Sequence, residues 1–385
     1  MKILIDAHMV GENETGNERY IVQLVNALKS LDVDADLLVA VAHQTEAERL
    51  IAFGSRVRPV RVSSSPIRRL LVDLPGLVRK ECVDLLHVTY MGPLQQRCPM
   101  VVTIHDMSWR VNPSWFSPRD YFVLSAGSSL TARRATRIIT ISQHAQGEIH
   151  RYLNVSPERT NVTPLAAAPQ FTPKPYKALQ DYPFERWAVR RPYILAVGNL
   201  QPRKNLPRLV EAFSQLVTTQ HIPHHLVLAG KAKWRESEIH RMIRRLGVED
   251  RIVFTGRIPD EDLACLLCGA SLFVYPSLYE GFGLPVLEAM ACGTPVVTSN
   301  CTSIPEVAGD AALLVDPTSI GQLADAIHRV LGDEELHARL RERGLARARM
   351  YSWQQTAMLT WAAYCQTTEG LHPRGARDLL KGTSQ

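Results

Sequence analysis

Apolar residues along the chain fall into two repeating patterns. Short unbroken runs alternate with stretches in which apolar residues recur every three or four positions. In the first half the runs are Ile3-Leu4-Ile5, Leu37 to Ala42, Asp84 to Val88, Met100 to Ile104, Ile138 to Ser142 and Asn161 to Leu165. Unbroken runs fit strands covered on both faces, as in a parallel sheet with helices above and below. Between the first two runs, Ile21, Leu24, Val25 and Leu28 predict a helix from about Glu18 to Leu31. A second series follows: Tyr193 to Val197, His225 to Ala229, Arg251 to Thr255, Ala270 to Val274, Pro295 to Thr298 and Ala312 to Val315. The stretch between the series holds Pro169, Pro173, Pro175, Pro183 and Pro192 and has no clear periodicity, so it reads as a linker. The pattern predicts an α/β protein of two doubly wound parallel-sheet domains. Residues 1–170 form the first domain, 171–192 the linker and 193–350 the second domain. A last helix covers 351–370, and 371–385 reads as a disordered tail.

Composition adds limits. The chain has 385 residues, ample for two cores, with 45% hydrophobic and 21% charged residues. Net charge is +6 and the pI is about 9.0, which suits an anionic small ligand or an anionic membrane surface. Nucleic acid is not expected, because no interleaving of aromatic and basic residues marks an RNA platform. Seven cysteines are scattered without framework spacing, which favours a reducing compartment. Cys265 and Cys268 form a C-x-x-C within an apolar helical run; buried core cysteines are favoured over zinc or redox chemistry because no second ligand pair lies nearby. The start, Met1-Lys-Ile-Leu-Ile-Asp6, is charged too early for a signal peptide, and no run approaches the roughly 18 apolar residues of a membrane span. The expected location is cytoplasmic, free or peripheral on the inner face of the cell membrane. Pro66 to Lys80 mixes apolar residues with Arg68, Arg69, Arg79 and Lys80. It reads as a domain helix broken at Pro75 or, alternatively, as an interfacial patch.

The candidate chemistry concentrates at strand ends. After Ala270–Val274 the chain runs Tyr275-Pro-Ser-Leu-Tyr-Glu280-Gly281-Phe282-Gly283-Leu284-Pro-Val-Leu-Glu288. This is a glycine turn entering a helix, with one carboxylate in the turn and one about a helical turn inside. Free N–H groups at a helix start favour an anion. Carboxylates beside them suit a ligand that also carries hydroxyls. After Tyr193–Val197, Gly198 leads to Arg203 and Lys204 at another helix start, a good arrangement for a diphosphate. Met100 to Ile104 ends in His105-Asp106, at the carboxyl end of a strand where ligands bind in open α/β sheets. Gly11 and Gly16 flank a loop after the first strand but do not form a dinucleotide fingerprint. Asp32, Asp34 and Asp36 offer Asp-x-Asp spacings, which read better as a solvated turn than as a metal site.

Glu280-x7-Glu288 around Gly-Phe-Gly-Leu-Pro, Arg203-Lys204-Asn205, the Thr-Ile-His105-Asp106 string and the Thr15-Gly16…Arg19-Tyr20 loop together resemble retaining glycosyltransferases of family 4. The likeness runs from Met1 to about Thr367. It implies the GT-B fold, two Rossmann-like domains facing across a cleft, with the acceptor on the first and the donor mainly on the second. The carry-over makes His105, Glu280 and Asp106 the catalytic candidates. It makes Gly16, Arg203, Lys204, Ile258, Gly281, Phe282, Gly283, Leu284 and Glu288 the donor-binding candidates, with Glu280 on the transferred hexose, Glu288 on the ribose and Ile258 near the nucleobase. Some relatives carry Arg directly after the first glycine; Asn199 stands there in this chain, so the charge rests on Arg203 and Lys204. The implied reaction moves a hexose from a nucleotide diphosphate sugar to a saccharide or lipid-linked acceptor in cell-surface polysaccharide synthesis, without a metal or other cofactor. The Thr15-Gly16…Arg19-Tyr20 loop resembles bacterial mannosyltransferases, which favours a GDP-mannose-type donor; UDP-sugars stay open. The competing readings are a phosphorylase or epimerase relative, and a nucleotide-sugar-binding protein without turnover.

Overall fold

The computed structural model describes residues 1–12, 15–199, 201–231 and 236–368; nothing is described of the side chains of Thr15, Glu236 and Ser237. The expected tail, 371–385, lies outside the described residues. The chain divides into two compact units, one of Met1–Leu165 together with the segment from Ser352, the other of Ala166–Tyr351.

The first unit is built on seven strands: β1 Lys2–Asp6, β2 Asp36–Val41, β3 Val57–Arg61, β4 Leu85–Thr89, β5 Met100–Thr103, β6 Arg137–Thr140 and β7 Thr160–Val162. Their order is β3-β2-β1-β4-β5-β6-β7, and all neighbours are parallel. The second unit has six: β8 Tyr193–Val197, β9 His225–Ala229, β10 Ile252–Gly256, β11 Leu272–Tyr275, β12 Val296–Ser299 and β13 Leu313–Val315. Their order is β10-β9-β8-β11-β12-β13, again all parallel. Both sheets are therefore doubly wound, with helices covering both faces. Along β8, Ile194 and Ala196 enter one apolar cluster while Tyr193 and Leu195 enter another. That alternation is why the strand reads as a continuous apolar run. Each sheet has a point where the winding reverses, β1/β4 in the first and β8/β11 in the second. The crevice at the carboxyl ends of such strands is where ligands bind.

Four local expectations change. β3 was not foreseen: Val57-Arg-Pro-Val-Arg61 carries a proline and two arginines, and the strand holds as an edge where Pro59 needs no second ladder partner. The helix expected from Glu18 begins at Thr15 and ends at Lys29, so Gly16 sits in its first turn rather than in a loop. Pro66 to Lys80 does not break at Pro75. It stays helical through a π-turn at Arg69–Asp73, in which the Leu74 N–H donates to the Arg69 carbonyl. Widening the turn accommodates the N–H that Pro75 lacks and the clash its ring would cause. Cys265 and Cys268 are partly exposed rather than buried, and they pack against the margin of the core. Asp32 and Asp34, in the turn before β2, and Asp36, its first residue, are all exposed. The last helix, Trp353–Thr368, belongs with the first unit and packs on the Thr15–Lys29 helix and on β4 to β7.

Candidate active site

In the second unit the candidate residues converge at the β8/β11 switch point. Beyond β8 the backbone passes very close to β9: a Cβ on Gly230 would sit 2.1 Å from the Gly198 carbonyl oxygen. Only glycine permits that approach. The chain then makes a single 3-10 turn, Pro202–Lys204, and Asn205 takes left-handed φ of 58°. Asn205 Nδ2 donates to the carbonyls of Pro276 (3.0 Å) and Pro317 (2.6 Å), tying the turn to the loops after β11 and β13. The Leu278 N–H donates to the Arg203 carbonyl at 2.8 Å. The basic turn and the glutamate loop are thus tied together by one backbone hydrogen bond and by the Asn205 side chain, apart from any contact of the charged groups.

Glu280 is the centre of the arrangement. Lys204 Nζ donates to Oε1 at 2.6 Å, the Tyr275 hydroxyl donates to the same oxygen at 2.9 Å, and Arg203 Nη1 donates to Oε2 at 3.2 Å. Lys204 Nζ also donates to the Tyr275 hydroxyl and lies 4.8 Å from the centre of that ring. Arg203 Nη1 reaches the Tyr279 carbonyl as well, at 3.3 Å. Glu280 is 7% exposed and Lys204 9%. Burial pushes the carboxyl up, but Lys204 and then Arg203 outweigh it and hold the pKa down at about 2. Its backbone is held too: the Glu280 N–H donates to Thr302 Oγ1 at 3.3 Å, and Ser303 Oγ donates to the Glu280 carbonyl at 2.8 Å. Among these three residues two cations face one carboxylate. An arriving diphosphate would compete with Glu280 for both.

Gly283 caps the Leu284–Ala291 helix with φ of +101°, and a Cβ there would lie 2.5 Å from Ile304 Cδ1. The helix start offers fewer outward donors than the glycine turn suggests. Pro285 has no N–H, and those of Val286 and Leu287 turn back to the Gly283 carbonyl at 2.9 and 3.4 Å. Phe282 is buried against Tyr351 at 5.9 Å. Ile258 is buried in the core after β10, and Glu288 is only 1% exposed. Leu284 opens the helix and Gly281 lies in the turn before it.

The first unit gathers a second group around His105. The ring is buried, and Nε2 has no hydrogen-bond partner among the described residues. Tyr20 packs against it edge-on at 4.6 Å and Tyr90 at 5.6 Å. Burial lowers its pKa to about 4, so the imidazole is neutral at neutral pH. Asp106 does not join it: Oδ1 accepts from the Ser108 N–H (2.9 Å) and Oγ (2.7 Å), closing the next turn. Gly16 makes no close approach, since a Cβ there would meet nothing within 4 Å.

Sequence reasoning passed over several partners. Tyr275 carried no signal beyond its place at a strand end. His87, Thr103 and Tyr364 form a buried hydrogen-bonded series beneath Tyr20. Asp6, fully buried at the end of β1, lies 3.0 Å from His8 and 3.3 Å from Arg69. Burial raises its carboxyl, but His8 and Arg69 prevail and lower the pKa. A charged residue ending an apolar strand was a usable hint for Asp6; nothing in the sequence pairs it with Arg69.

Two parallel doubly wound units with cations and a buried glutamate at a switch point define a GT-B-type glycosyltransferase. The chain belongs to the group 1/family 4 glycosyltransferases. The model for "Glycosyl transferases group 1" matches residues 181–347, and that for "Glycosyltransferase Family 4" matches 15–170. The chain is 37% identical to O-antigen chain mannosyltransferase B of Escherichia coli, over 94% of this chain and 99% of that protein. The solved sucrose-phosphate synthase of Thermosynechococcus elongatus shares the fold at TM-score 0.75 and 23% identity, covering 96% of this chain and all of the other. So does Anabaena HepE, solved with UDP-glucose, at TM-score 0.73 and 21% identity, covering 96% of this chain and 99% of the other.

Proposed function

We propose that this glycosyltransferase moves mannose from a GDP-mannose-type donor, with retention, to a saccharide or lipid-linked acceptor in cell-surface polysaccharide synthesis. The observation that carries the reading is the contact of Arg203 and Lys204 with one buried glutamate at the β8/β11 switch point. Departure of a nucleoside diphosphate develops negative charge on its phosphate oxygens, and preorganised cations in a buried setting stabilise that charge strongly. Lys204 and Arg203 take this role. Glu280, kept ionised, accepts hydrogen bonds from hydroxyls of the hexose. Glu288 accepts from the ribose, and reaching it requires the helix start to yield, given its burial. His105 stays neutral, so it positions the sugar and polarises the reacting centre as an uncharged ring. The likeness to O-antigen chain mannosyltransferase B supports mannose as the sugar. A UDP-sugar would need the same phosphate and ribose contacts.

No helix among the described residues is long and apolar enough to cross a membrane. Peripheral contact with an anionic bilayer is supported by apolar side chains exposed beside arginines in the first unit. Ile67, Leu71 and Val72 lie near Arg68, while Phe122 and Val123 lie near Arg119. Co-sedimentation with phosphatidylglycerol vesicles, lost on Ile67→Ser/Phe122→Ser, is the expected result.

The deciding experiment is thermal stabilisation by GDP-, UDP-, dTDP- and ADP-sugars, with Arg203→Ala/Lys204→Ala as control. A shift with GDP-mannose that the control loses, followed by an α-linked product in NMR, supports the reading. A shift with UDP-sugars alone replaces the donor. No shift with any sugar favours binding without turnover. Activity is expected to persist in EDTA; strict dependence on a divalent ion would point instead to a metal-held diphosphate.

A further inference from the structure

His105 is anchored from the far end of the chain. Its ring is fixed by Tyr20 and Tyr90 rather than by a hydrogen bond through Nε2. Aromatic contacts of this kind are individually weak. The imidazole is therefore only as well placed as the rings against it. Tyr20 is itself placed through its hydroxyl, 2.9 Å from Thr103 Oγ1. Thr103 Oγ1 lies 2.8 Å from His87 Nε2, and His87 Nδ1 lies 2.6 Å from the Tyr364 hydroxyl. Tyr364 is on the Trp353–Thr368 helix, whose first residue packs on Tyr20 at 6.5 Å.

All four linked residues are essentially out of water: Tyr20 at 1% exposure, and His87, Thr103 and Tyr364 at 0%. Each carries one proton to donate when His87 is neutral, and the three links use one each. The series is therefore satisfied in either direction, with the His87 tautomer setting which. A fully bonded buried network specifies geometry more sharply than packing alone. It is not needed for stability, since apolar residues of similar shape at these positions would fill the same core at little cost. β4 reads Leu85-Leu86-His87-Val88, and this imidazole interrupts an otherwise apolar run without contacting solvent.

We propose that Tyr364 and His87 are positioning residues for His105, acting through Thr103 and Tyr20. The closing helix thereby fixes the imidazole that acts on the transferred sugar. The proposal rests on the reading of His105 as catalytic.

The test is steady-state kinetics with whichever sugar in the GDP-, UDP-, dTDP- and ADP-sugar panel the wild-type protein turns over fastest. Tyr364→Phe is expected to lower kcat about tenfold with donor KM unchanged, because a small misplacement costs turnover rather than affinity. In a His105→Ala background the same change is expected to add nothing. Thr103→Ser, which keeps the hydroxyl, is expected to retain kcat, while Thr103→Val loses it as Tyr364→Phe does. Equal losses in both backgrounds would mean that Tyr364 acts on general stability and would overturn the proposal. So would full kcat in both Tyr364→Phe and Thr103→Val beside an inactive His105→Ala. Full kcat in His105→Ala would remove the catalytic reading itself, and the proposal with it.

Discussion

Lys204 Nζ and Glu280 Oε1 are 2.6 Å apart although 76 residues separate them in the chain. One follows β8 and the other follows β11, the two strands that flank the reversal of the second sheet. Their pairing holds the cation where a diphosphate would need it and keeps the carboxylate charged. On the proposed reading, Glu280 supplies in the free protein the anion that a bound diphosphate would replace.

Breaking that pair on one side leaves a buried charge short of its partner. Lys204→Met is expected to cost roughly 3–5 kcal/mol. Lys204→Met/Glu280→Gln is expected to recover part of it, since the carboxylate is then neutral while Arg203 loses its contact with it. Urea denaturation of the two variants beside wild type measures this. Losses below about 1 kcal/mol in the single variant would mean that the pair behaves as an exposed one.

The two glutamates are expected to fail differently. Glu280→Ala lowers turnover by about 10²–10³, as loss of a transition-state contact does, and leaves nucleotide affinity largely intact. Glu288→Ala weakens nucleotide binding about tenfold or more. Calorimetric titration with nucleoside diphosphates, set beside turnover, separates them. Equal losses of affinity would reject this division.

Gly230→Ala is expected to destabilise by on the order of 3 kcal/mol or more, because the new methyl would meet the Gly198 carbonyl oxygen at 2.1 Å. Neither backbone can give way without moving the end of β8, which leads to Arg203. Loss of donor binding is therefore expected with the loss of stability. Chemical denaturation and the donor thermal-shift assay read the two effects. A variant as stable as wild type would mean that the strand ends separate easily.

Acidification is expected to weaken the protein through His105. An unfolded histidine takes up its proton near pH 6.5, whereas the buried one does so only near 4. Above pH 6.5 the contribution is fully present. Between 6.5 and 4 the unfolded chain binds one proton more, so stability falls by about 1.4 kcal/mol per pH unit. His87, lowered by burial to about 3, adds a like term in the same window. His105→Gln is expected to remove one proton's worth of that slope. Denaturation midpoints at stepped pH test it; an unchanged slope would mean that His105 titrates normally.

Much was legible in the chain because it depends on local patterns. Twelve of the thirteen strands described announce themselves as apolar runs, since helices cover both faces of each sheet. Strand–glycine–cation and strand–glycine–glutamate segments marked Arg203, Lys204 and Glu280 because each is a short-range arrangement around a turn. The edge strand β3 escaped, since an exposed edge need not be apolar and tolerates Pro59. Asp106 stood as a candidate because it follows His105 at the strand end; its oxygen instead closes a turn on Ser108.

The sequence by itself determined the α/β class, the two sheets and the residue types that a phosphate-and-sugar site requires. Tertiary structure alone decided which of those residues meet. Lys204 reaches Glu280 because β8 and β11 are neighbours, and Tyr364 reaches His87 because the last helix lies on β4. The reason is physical: periodicity reports which face of an element is buried, while partners across a sheet are set by strand order and packing.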